Sequence, residues 1–345
     1  MAIPASARYA SSVFAAAVMF AGCSSLPQSQ LGPSGPVQSA DQSVFKTPLS
    51  RRLSPLIESD GASVVHPDRR RSWMDPDTKN KDLLYISDLG TDDVYVYSYP
   101  KGKLKGTLTG FNSPVGLCSD KAGDVWIVNA GASQMVEYAH GGNSPVATLS
   151  NTSYGQGCAV DPTTGNLAVA NYYGPGSSKP GNVAIYPNAQ GTPTIYTDSQ
   201  ITDFLYCGYD GKGDLYADGY TGGVGSVYGE LTSGSSDFTN ITLNASLANA
   251  EGVQWHGKYL AIVDSSVGVI YQFAIRGRRG TEAGSTTLTG ANGVYQFWIQ
   301  GPKVIGPNTG SANVMFWKYP AGGTAIKTIT GLNFPFGSTV SMGRK

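Results

Sequence analysis

The sequence predicts an all-β protein, a six-bladed β-propeller of four-stranded antiparallel blades, and three observations support this prediction. The 345-residue chain contains 45 Gly, 20 Pro and 20 Tyr, a composition rich in turn-forming and strand-forming residues. A strand ending in Asp or Asn recurs six times after residue 81, with an average spacing of 44 residues. A further strand, Gly337 to Met342, follows the sixth repeat.

The repeated strands end in a carboxylate or amide side chain at Asp88, Asn129, Asn171, Asp218, Asp264 and Asn308. An aromatic-ended strand, a Gly-containing loop, a Thr-rich strand and a Gly-led apolar strand complete each unit. Four short strands in about 44 residues is the period of a propeller blade, whose apolar faces are buried only when blades stack in a ring. Because Asp and Asn form turns through local hydrogen bonds, we interpret all six as structural residues.

The strand from Gly337 to Met342 is predicted to close the ring by completing the first blade. The first unit starts directly at Leu83 and lacks an inner strand of its own. Pairing between these two strands would leave no long free edge. Deletion of about ten residues from this end is therefore predicted to unfold the domain.

The chain before the repeats predicts two segments. Residues 1–23 have the layout of a lipoprotein-type signal peptide, since an apolar stretch follows Arg8 and ends at Phe20-Ala21-Gly22-Cys23, similar to a bacterial lipobox. Residues 24–81 are rich in Pro, Ser and Gly and predict a flexible tether, and residues 82–345 form the propeller. We expect an exported protein, periplasmic or on the cell surface, held to the membrane by lipid on Cys23. The alternative is ordinary secretion with Cys23 removed or free.

Charge and cysteine content limit the function classes. Acidic and basic residues balance at 24 each, so the sequence predicts no nucleic-acid partner and no membrane contact beyond the anchor, and we expect a monomer. Cys118, Cys158 and Cys207 lie on strands that we take as equivalent. Their odd number argues against a disulfide framework, and we expect small buried apolar side chains instead.

Two segments carry a resemblance to known propellers: Pro114-Val115-Gly116-Leu117-Cys118-Ser119-Asp120 and the stretch from Gly157 to Asn171. Their pattern of Gly, apolar strand, Asp, turn, apolar strand and Asp or Asn resembles the NHL-repeat and gluconolactonase (senescence-marker-like) families, across roughly residues 82–345. The resemblance implies the architecture and not the function, because this fold hosts binders, lactonases and lyases.

Function is expected where the blades differ, at the channel mouth where the inner strands begin. The residue before the opening Gly, or its equivalent, is predicted to face this mouth at Phe336, Val115, Gln156, Leu205, Glu251 and Asn292. In the gluconolactonase-like family this position supplies metal ligands, so the resemblance implies a divalent-cation site, such as one for calcium, at Glu251, Asn292 and Gln156. The Asp that this family also uses as catalytic base is missing, and Ca²⁺ takes 6–8 oxygen ligands. A polar mouth that binds water is the alternative.

Aromatic residues near the same mouth are further binding candidates. Tyr172 and Tyr173 lead a Gly-rich insertion, and Tyr206 opens the fourth inner strand. Loop aromatics on a rigid scaffold suit a protein, glycan or small-molecule ligand, although single exposed tyrosines are common. No nucleophile elbow, zinc-protease motif or phosphate-binding loop is present, and no catalytic residue is assigned. The sequence favours a non-catalytic binding scaffold at the cell envelope; the alternative is a divalent-metal-dependent lactonase or related hydrolase.

Overall fold

The computed structural model describes residues 71–178, 180–222 and 224–343. The predicted signal peptide, with Cys23, and most of the predicted tether lie outside these residues. No helix within the described ranges has the length and apolar character that a membrane span requires.

The described chain is built almost entirely from short strands. In chain order, the first thirteen are β1 (Trp73–Met74), β2 (Leu83–Asp88), β3 (Asp93–Ser98), β4 (Leu104–Leu108), β5 (Pro114–Ser119), β6 (Val125–Asn129), β7 (Gln134–Tyr138), β8 (Pro145–Ser150), β9 (Tyr154–Val160), β10 (Leu167–Tyr173), β11 (Asn182–Tyr186), β12 (Thr194–Tyr196) and β13 (Asp203–Tyr209). The next thirteen are β14 (Leu215–Thr221), β15 (Val224–Leu231), β16 (Thr239–Leu243), β17 (Ala250–His256), β18 (Tyr259–Asp264), β19 (Val269–Arg276), β20 (Arg279–Thr289), β21 (Trp298–Gln300), β22 (Lys303–Asn308), β23 (Asn313–Lys318), β24 (Gly323–Thr324), β25 (Lys327–Ile329) and β26 (Pro335–Ser341). Short 3-10 segments lie at Pro76–Thr78, Ala130–Ala132, Pro175–Ser177, Pro187–Ala189 and Thr309–Ser311.

Within the described ranges the strands pair into five sheets. Four of them contain four or five strands, in the orders β1-β4-β3-β2-β26, β5-β6-β7-β8, β12-β11-β10-β9 and β21-β22-β23-β25. The fifth contains nine strands, in the order β13-β14-β15-β16-β20-β19-β18-β17 with β24 paired to β20. The all-β prediction is confirmed, but the prediction of separate four-stranded blades throughout differs from this nine-stranded sheet.

The nine-stranded sheet forms because two outer strands meet. β16 runs parallel to β20, with Thr242 opposite Arg279 and Leu243 opposite Gly280. β20 is 11 residues long, and a Cβ at position 280 would collide with the Leu243 side chain, so glycine permits the approach. The Thr-rich outer strands carry no sequence signal for pairing between units, which is why the repeat pattern did not predict it.

The strand predicted to close the ring pairs with the first long strand. β26 is antiparallel to β2, with Leu83 opposite Ser341 and Leu84 opposite Val340. The buried Ser87 hydroxyl strengthens this junction, because it donates to the Val115 carbonyl at 2.5 Å and accepts from the Gly337 N–H at 2.8 Å.

In each sheet, the strand nearest the central axis is called the inner strand, and its neighbour the second strand. Glycines on the inner strands let successive sheets approach closely: a Cβ at Gly116 would meet the carbonyl oxygen of Gln156, and one at Gly157 that of Leu205. The second strands are buried on both faces, as in β2, β6 and β18. The opening glycines Gly116, Gly157, Gly252 and Gly337 therefore have a packing role.

The cysteines correct one expectation. Cys118 on β5 and Cys158 on β9 form a disulfide between neighbouring sheets, with Cα atoms 5.7 Å apart. The two cysteines are not at equivalent positions of their strands. Ser119 and Val160 are equivalent, because they pair with Val125 and Leu167 at the starts of β6 and β10. Cys118 lies one residue before Ser119, whereas Cys158 lies two residues before Val160. The expectation of unpaired apolar side chains is wrong for this pair and holds for Cys207, whose buried thiol has its pKa raised to about 12 by desolvation.

Candidate functional site

Two sides of the molecule offer candidate sites. The inner strands β26, β5, β9, β13 and β17 all begin on one side, which we call the entry face, and all end on the other, which we call the exit face. The predicted binding residues lie toward the entry face, on the inner strands at Gln156, Tyr206 and Glu251 and beside them at Tyr172, Tyr173 and Asn292. The largest difference from the sequence-based expectation is that the inner-strand side chains lie inside the protein.

The ladder register places six residues at equivalent inner positions: Phe336, Val115, Gln156, Leu205, Glu251 and Tyr295. The sequence predicted Asn292 in place of Tyr295. Asn292 lies in the preceding loop, where its N–H donates to Asn308 Oδ1 at 2.5 Å and its Nδ2 lies 3.5 Å from Ser311 Oγ. The glycine at 293 is not equivalent to the other opening glycines, because the register places the inner position three residues after Asn292, at Tyr295.

The predicted binding residues on the inner strands are sealed from solvent. Gln156 and Glu251 are 0% exposed and Tyr206 is 2% exposed. Tyr172 is also buried, and its ring meets that of the half-buried Tyr173 edge-to-face at 4.6 Å. These side chains therefore contribute to the interior, and a ligand at the surface would not touch Gln156, Glu251 or Tyr206.

The buried polar residues form a connected cluster. Tyr220 donates through its hydroxyl to Asn249 Oδ1 at 2.8 Å and lies 3.1 Å from Glu251 Oε1. Burial, followed by the nearby Glu251 carboxyl, holds the pKa of Tyr206 well above its usual value, while the neighbouring Gln156 amide acts in the opposite direction. Neither that amide nor the Tyr206 hydroxyl makes a hydrogen bond of good geometry to a described protein atom. Both tyrosines stay neutral donors at physiological pH.

Asp218 belongs to this cluster, and the sequence analysis missed it. Five of the six repeated acid or amide residues tie a second strand to the loop before an inner strand: Asp88, Asn129, Asn171, Asp264 and Asn308, with partners in the same order at Asn333, Asn112, Asn151, Ala248 and Asn292. Asp218 instead accepts from the Tyr206 N–H at 2.9 Å, and burial raises its pKa to about 7. It lies three residues after Leu215, whereas Asn171 lies four after Leu167, and this offset was visible in the sequence.

The described residues do not fit the divalent-cation site that the family resemblance implied. Glu251 Oε1 is engaged by Tyr220, and Asn292 is held in a loop by Asn308. Within the described ranges no group of three or more His, Cys, Asp or Glu side chains is arranged to hold a metal ion. One buried carboxylate and one amide supply too few oxygen ligands for calcium.

A serine–histidine contact also fails as a nucleophile pair. His140 Nδ1 lies 2.5 Å from Ser341 Oγ, and Ser341 is fully buried. The Ser341 hydroxyl donates its one hydrogen to the Gly123 carbonyl, so the histidine N–H must donate to the serine. A general base has to accept the proton of the nucleophile, and this pair has the opposite polarity. Its role is to fasten β26 to the neighbouring turn.

The exit face carries an open depression of about 270 Å³. It lies where β5, β9, β21 and β26 end, and its lining residues are Ser119, Asp120, Lys121, Val160, Asp161, Pro162, Gly165, Trp298, Gln300, Val340 and Met342. Trp298 is half-buried and donates its indole N–H to Gln300 Oε1 at 3.2 Å. Met342 is 41% exposed at the rim. Met342, Lys121, Asp120 and Trp298 are at least partly exposed here, whereas Asp161 and Val340 form the buried base of the lining.

Comparison with known proteins supports the fold. No family model and no curated protein matches the chain. Its structure is similar to one solved as "Crystal structure of Nidogen/Laminin Complex", with a TM-score of 0.63 and 11% sequence identity, over 76% of this chain and 100% of that one. The fold is a β-propeller. Because 1194 chains of solved structures match, the propeller architecture alone does not select a function.

Proposed function

We propose that the protein is an exported β-propeller that binds a partner or ligand without catalysing a reaction, and that the exit-face depression is its binding site. The observation that carries the proposal is a contrast in exposure. Gln156 and Glu251 are 0% exposed, whereas the depression presents Trp298 and Met342 to solvent. Rigid strand ends surrounding an aromatic-lined concavity are typical of recognition sites.

We also propose six blades. The nine-stranded sheet contains two four-stranded antiparallel units, β13 to β16 and β17 to β20, each with its own inner strand. A Cβ at Gly208 of β13 would meet Val253 of β17, so the two inner strands are neighbours at the axis. Counting these units separately, beside the four other sheets, gives six. Kinship with the NHL-repeat or gluconolactonase families rests on the sequence motifs alone.

Export and lipid attachment are part of the proposal. The Cys118–Cys158 disulfide supports an oxidising compartment, since structural disulfides are rare in the reducing cytosol. The lipobox-like segment ending at Cys23 supports the anchor, and that residue lies outside the described ranges. In a bacterial host fed a labelled fatty acid, the protein should take up label and sediment with membranes. The Cys23→Ala variant should lose both properties; label retained by the variant would reject the anchor.

A protein partner is the first class to test. The similar solved structure is described as a nidogen/laminin complex, and a protein partner for this propeller is consistent with that. Labelled protein should be applied to peptide and glycan arrays. Met342→Lys places a charged chain across the depression and should abolish binding to the array members that the wild type recognises. Val267→Lys is a matched control, because Val267 is 59% exposed and lies between β18 and β19 on the entry face.

Two results would contradict this proposal. Array binding that survives Met342→Lys would reject the depression as the recognition site. The lactonase alternative is tested with the same protein: hydrolysis of lactones or esters above the level of Glu251→Gln would reject a non-catalytic role. No described contact favours that alternative, because the carboxyl it needs is sealed beside Tyr220.

A further inference from the structure

The size of the exit-face depression limits what it holds. Its volume of about 270 Å³ lies below the range of about 300–1,000 Å³ that is usual for pockets holding drug-sized ligands. A single side chain of a partner protein fits this volume better than a whole cofactor or an extended glycan.

The apolar part of the lining suits a long aliphatic stem. Val160, Val340 and Met342 lie around Trp298. The Trp298 indole N–H is already donated to Gln300, so what the indole offers a ligand is the surface of its ring. A cation held over an aromatic ring is attracted by the electrons of the ring face, and the aliphatic stems of Lys and Arg pack on apolar surface while their charged ends remain in polar surroundings.

The charges of the lining favour a positive group. The lining contains two carboxylates, Asp120 and the buried Asp161, and one basic side chain, the exposed Lys121. Burial acts to raise the pKa of Asp161, but hydrogen bonds from Thr164 and Thr163 outweigh it and leave the pKa below its usual value, so the carboxylate stays ionised.

Neighbouring acids extend this negative region behind the rim. The pKa of Glu137 is raised to about 7, first by burial and then by the charges of Asp124 and Asp120. The larger part of this rise in pKa reflects desolvation, and the smaller part reflects the negative potential of Asp124 and Asp120. The potential acts on any charged group that approaches the β5–β6 turn.

From these features we infer that the depression binds the side chain of an Arg or Lys presented by a partner protein. The inference rests on the proposed recognition function and adds the chemistry of the ligand. The basic head group lies toward Asp120 and Asp161, and its stem lies against Trp298 and Met342. A neutral sugar that stacks on Trp298 is the competing outcome of the test.

The probe is N-acetyl-arginine amide, compared with its neutral isostere N-acetyl-citrulline amide. Binding is followed by the indole N–H resonance of Trp298, which is assigned with Trp298→Phe. We expect the arginine compound to shift this resonance, with an affinity about fivefold or more above that of the citrulline compound. The affinity should fall when the NaCl concentration is raised from about 50 to 500 mM, because salt screens the attraction between the charges. Equal affinities, or no shift by either compound, would overturn the inference.

The repeats supply a matched pair of variants. Asp120 Oδ1 accepts from the N–H groups of Ala122 and Asp124 at 2.8 and 2.9 Å. Asp210 Oδ1 holds an equivalent turn, accepting from Lys212 and Asp214 at 2.7 and 3.0 Å, but is not part of the depression. Asn at either position keeps the accepting oxygen and removes the charge.

Asp120→Asn should weaken arginine-amide binding about fivefold, while Asp210→Asn should leave it within about twofold of wild type. Melting temperatures of both variants check that the turns still form. Equal effects of the two variants, or a shift caused by methyl glucoside instead of arginine amide, would overturn the charge inference. Met342→Lys distinguishes the two failures: if it abolishes array binding while arginine and citrulline bind alike, the site stands and its proposed ligand does not.

Discussion

Asn171 on β10 and Asp218 on β14 end the same repeated motif, yet their side chains have different partners and different surroundings. Asn171 Oδ1 accepts from Asn151 Nδ2 and its own Nδ2 donates to Asn182 Oδ1, both at 2.8 Å. Asp218 is equivalent in register to Ala170, one residue earlier, and accepts from the Tyr206 N–H. We call a hydrogen bond from such a side chain to the loop before an inner strand a loop tie. Because side chains alternate between the faces of a strand, an offset of one residue places the Asp218 carboxyl in the interior instead of in a loop tie.

The energetic difference is as large as the geometric one. Both residues are 0% exposed. The Asn171 amide is neutral, and its oxygen and nitrogen are both hydrogen-bonded. The Asp218 carboxyl carries an ionisable oxygen, Oδ2, with no hydrogen bond to a described protein atom. A repeated residue type therefore does not imply a repeated role, and its charge state depends on which face it occupies.

The largest expected effect is on the pH dependence of stability through Asp218. Burial raises its folded-state pKa from 3.8 to about 7, so as pH rises the unfolded chain loses its proton first. Stability from this group is complete below about pH 4 and falls by about 4 kcal/mol as pH rises to about 7. In Asp218→Asn this fall should disappear, which urea unfolding at pH 4 to 8 would measure. An unchanged pH profile would show that Asp218 is ionised in the folded protein.

The reciprocal change is expected to be destabilising. Asn171→Asp removes the donor to Asn182 and places a carboxylate in a fully buried position. The free energy of unfolding should fall by about 3 kcal/mol at pH 8, and by less at pH 4, where the new acid is protonated. The measurement is urea unfolding at both pH values, with Asn188→Asp on the exposed turn as control. A loss that is equal at both pH values would point to lost packing instead of charge.

The smallest effect is expected from an ordinary loop tie. Asn129 Oδ1 accepts from the Asn112 N–H at 2.7 Å, as its equivalents do in other sheets. Asn129→Ala should lower the unfolding free energy by about 1 kcal/mol without changing its pH dependence. Thermal melts at pH 5 and 8 test this. A pH-dependent loss would mean that the loop ties share the behaviour of Asp218 and would remove the contrast between the two classes.

The sequence predicts what depends on local periodicity. The repeated strands, the Gly-led inner strands and the pairing of β26 with β2 follow from the spacing of apolar residues, Gly and Asp or Asn. It predicts poorly what depends on register between repeats. A one-residue offset separates Asp218 from Asn171 and Cys118 from Cys158, and Tyr295 lies three residues after the expected Asn292. Motif matching tolerates such offsets, whereas the direction of a side chain does not.

Contacts between separate repeats could not be predicted from the sequence either. The parallel pairing of Thr242 with Arg279 and the depression around Trp298 are assembled from segments with no shared motif. The burial of the predicted ligands could not be predicted either. Glu251 and Gln156 were candidates because they are polar, but whether a polar side chain reaches solvent depends on the strands packed over it.

The pairing of β26 with β2 also sets the timing of folding. β2 spans residues 83–88 and its partner spans residues 335–341, so the first sheet stays incomplete until nearly the whole described chain has been synthesised. Until then the buried edge of β2 lacks its antiparallel partner and is open to pairing with other chains. A protein that crosses a membrane unfolded would reach its destination before this late step, in which β26 completes the first sheet.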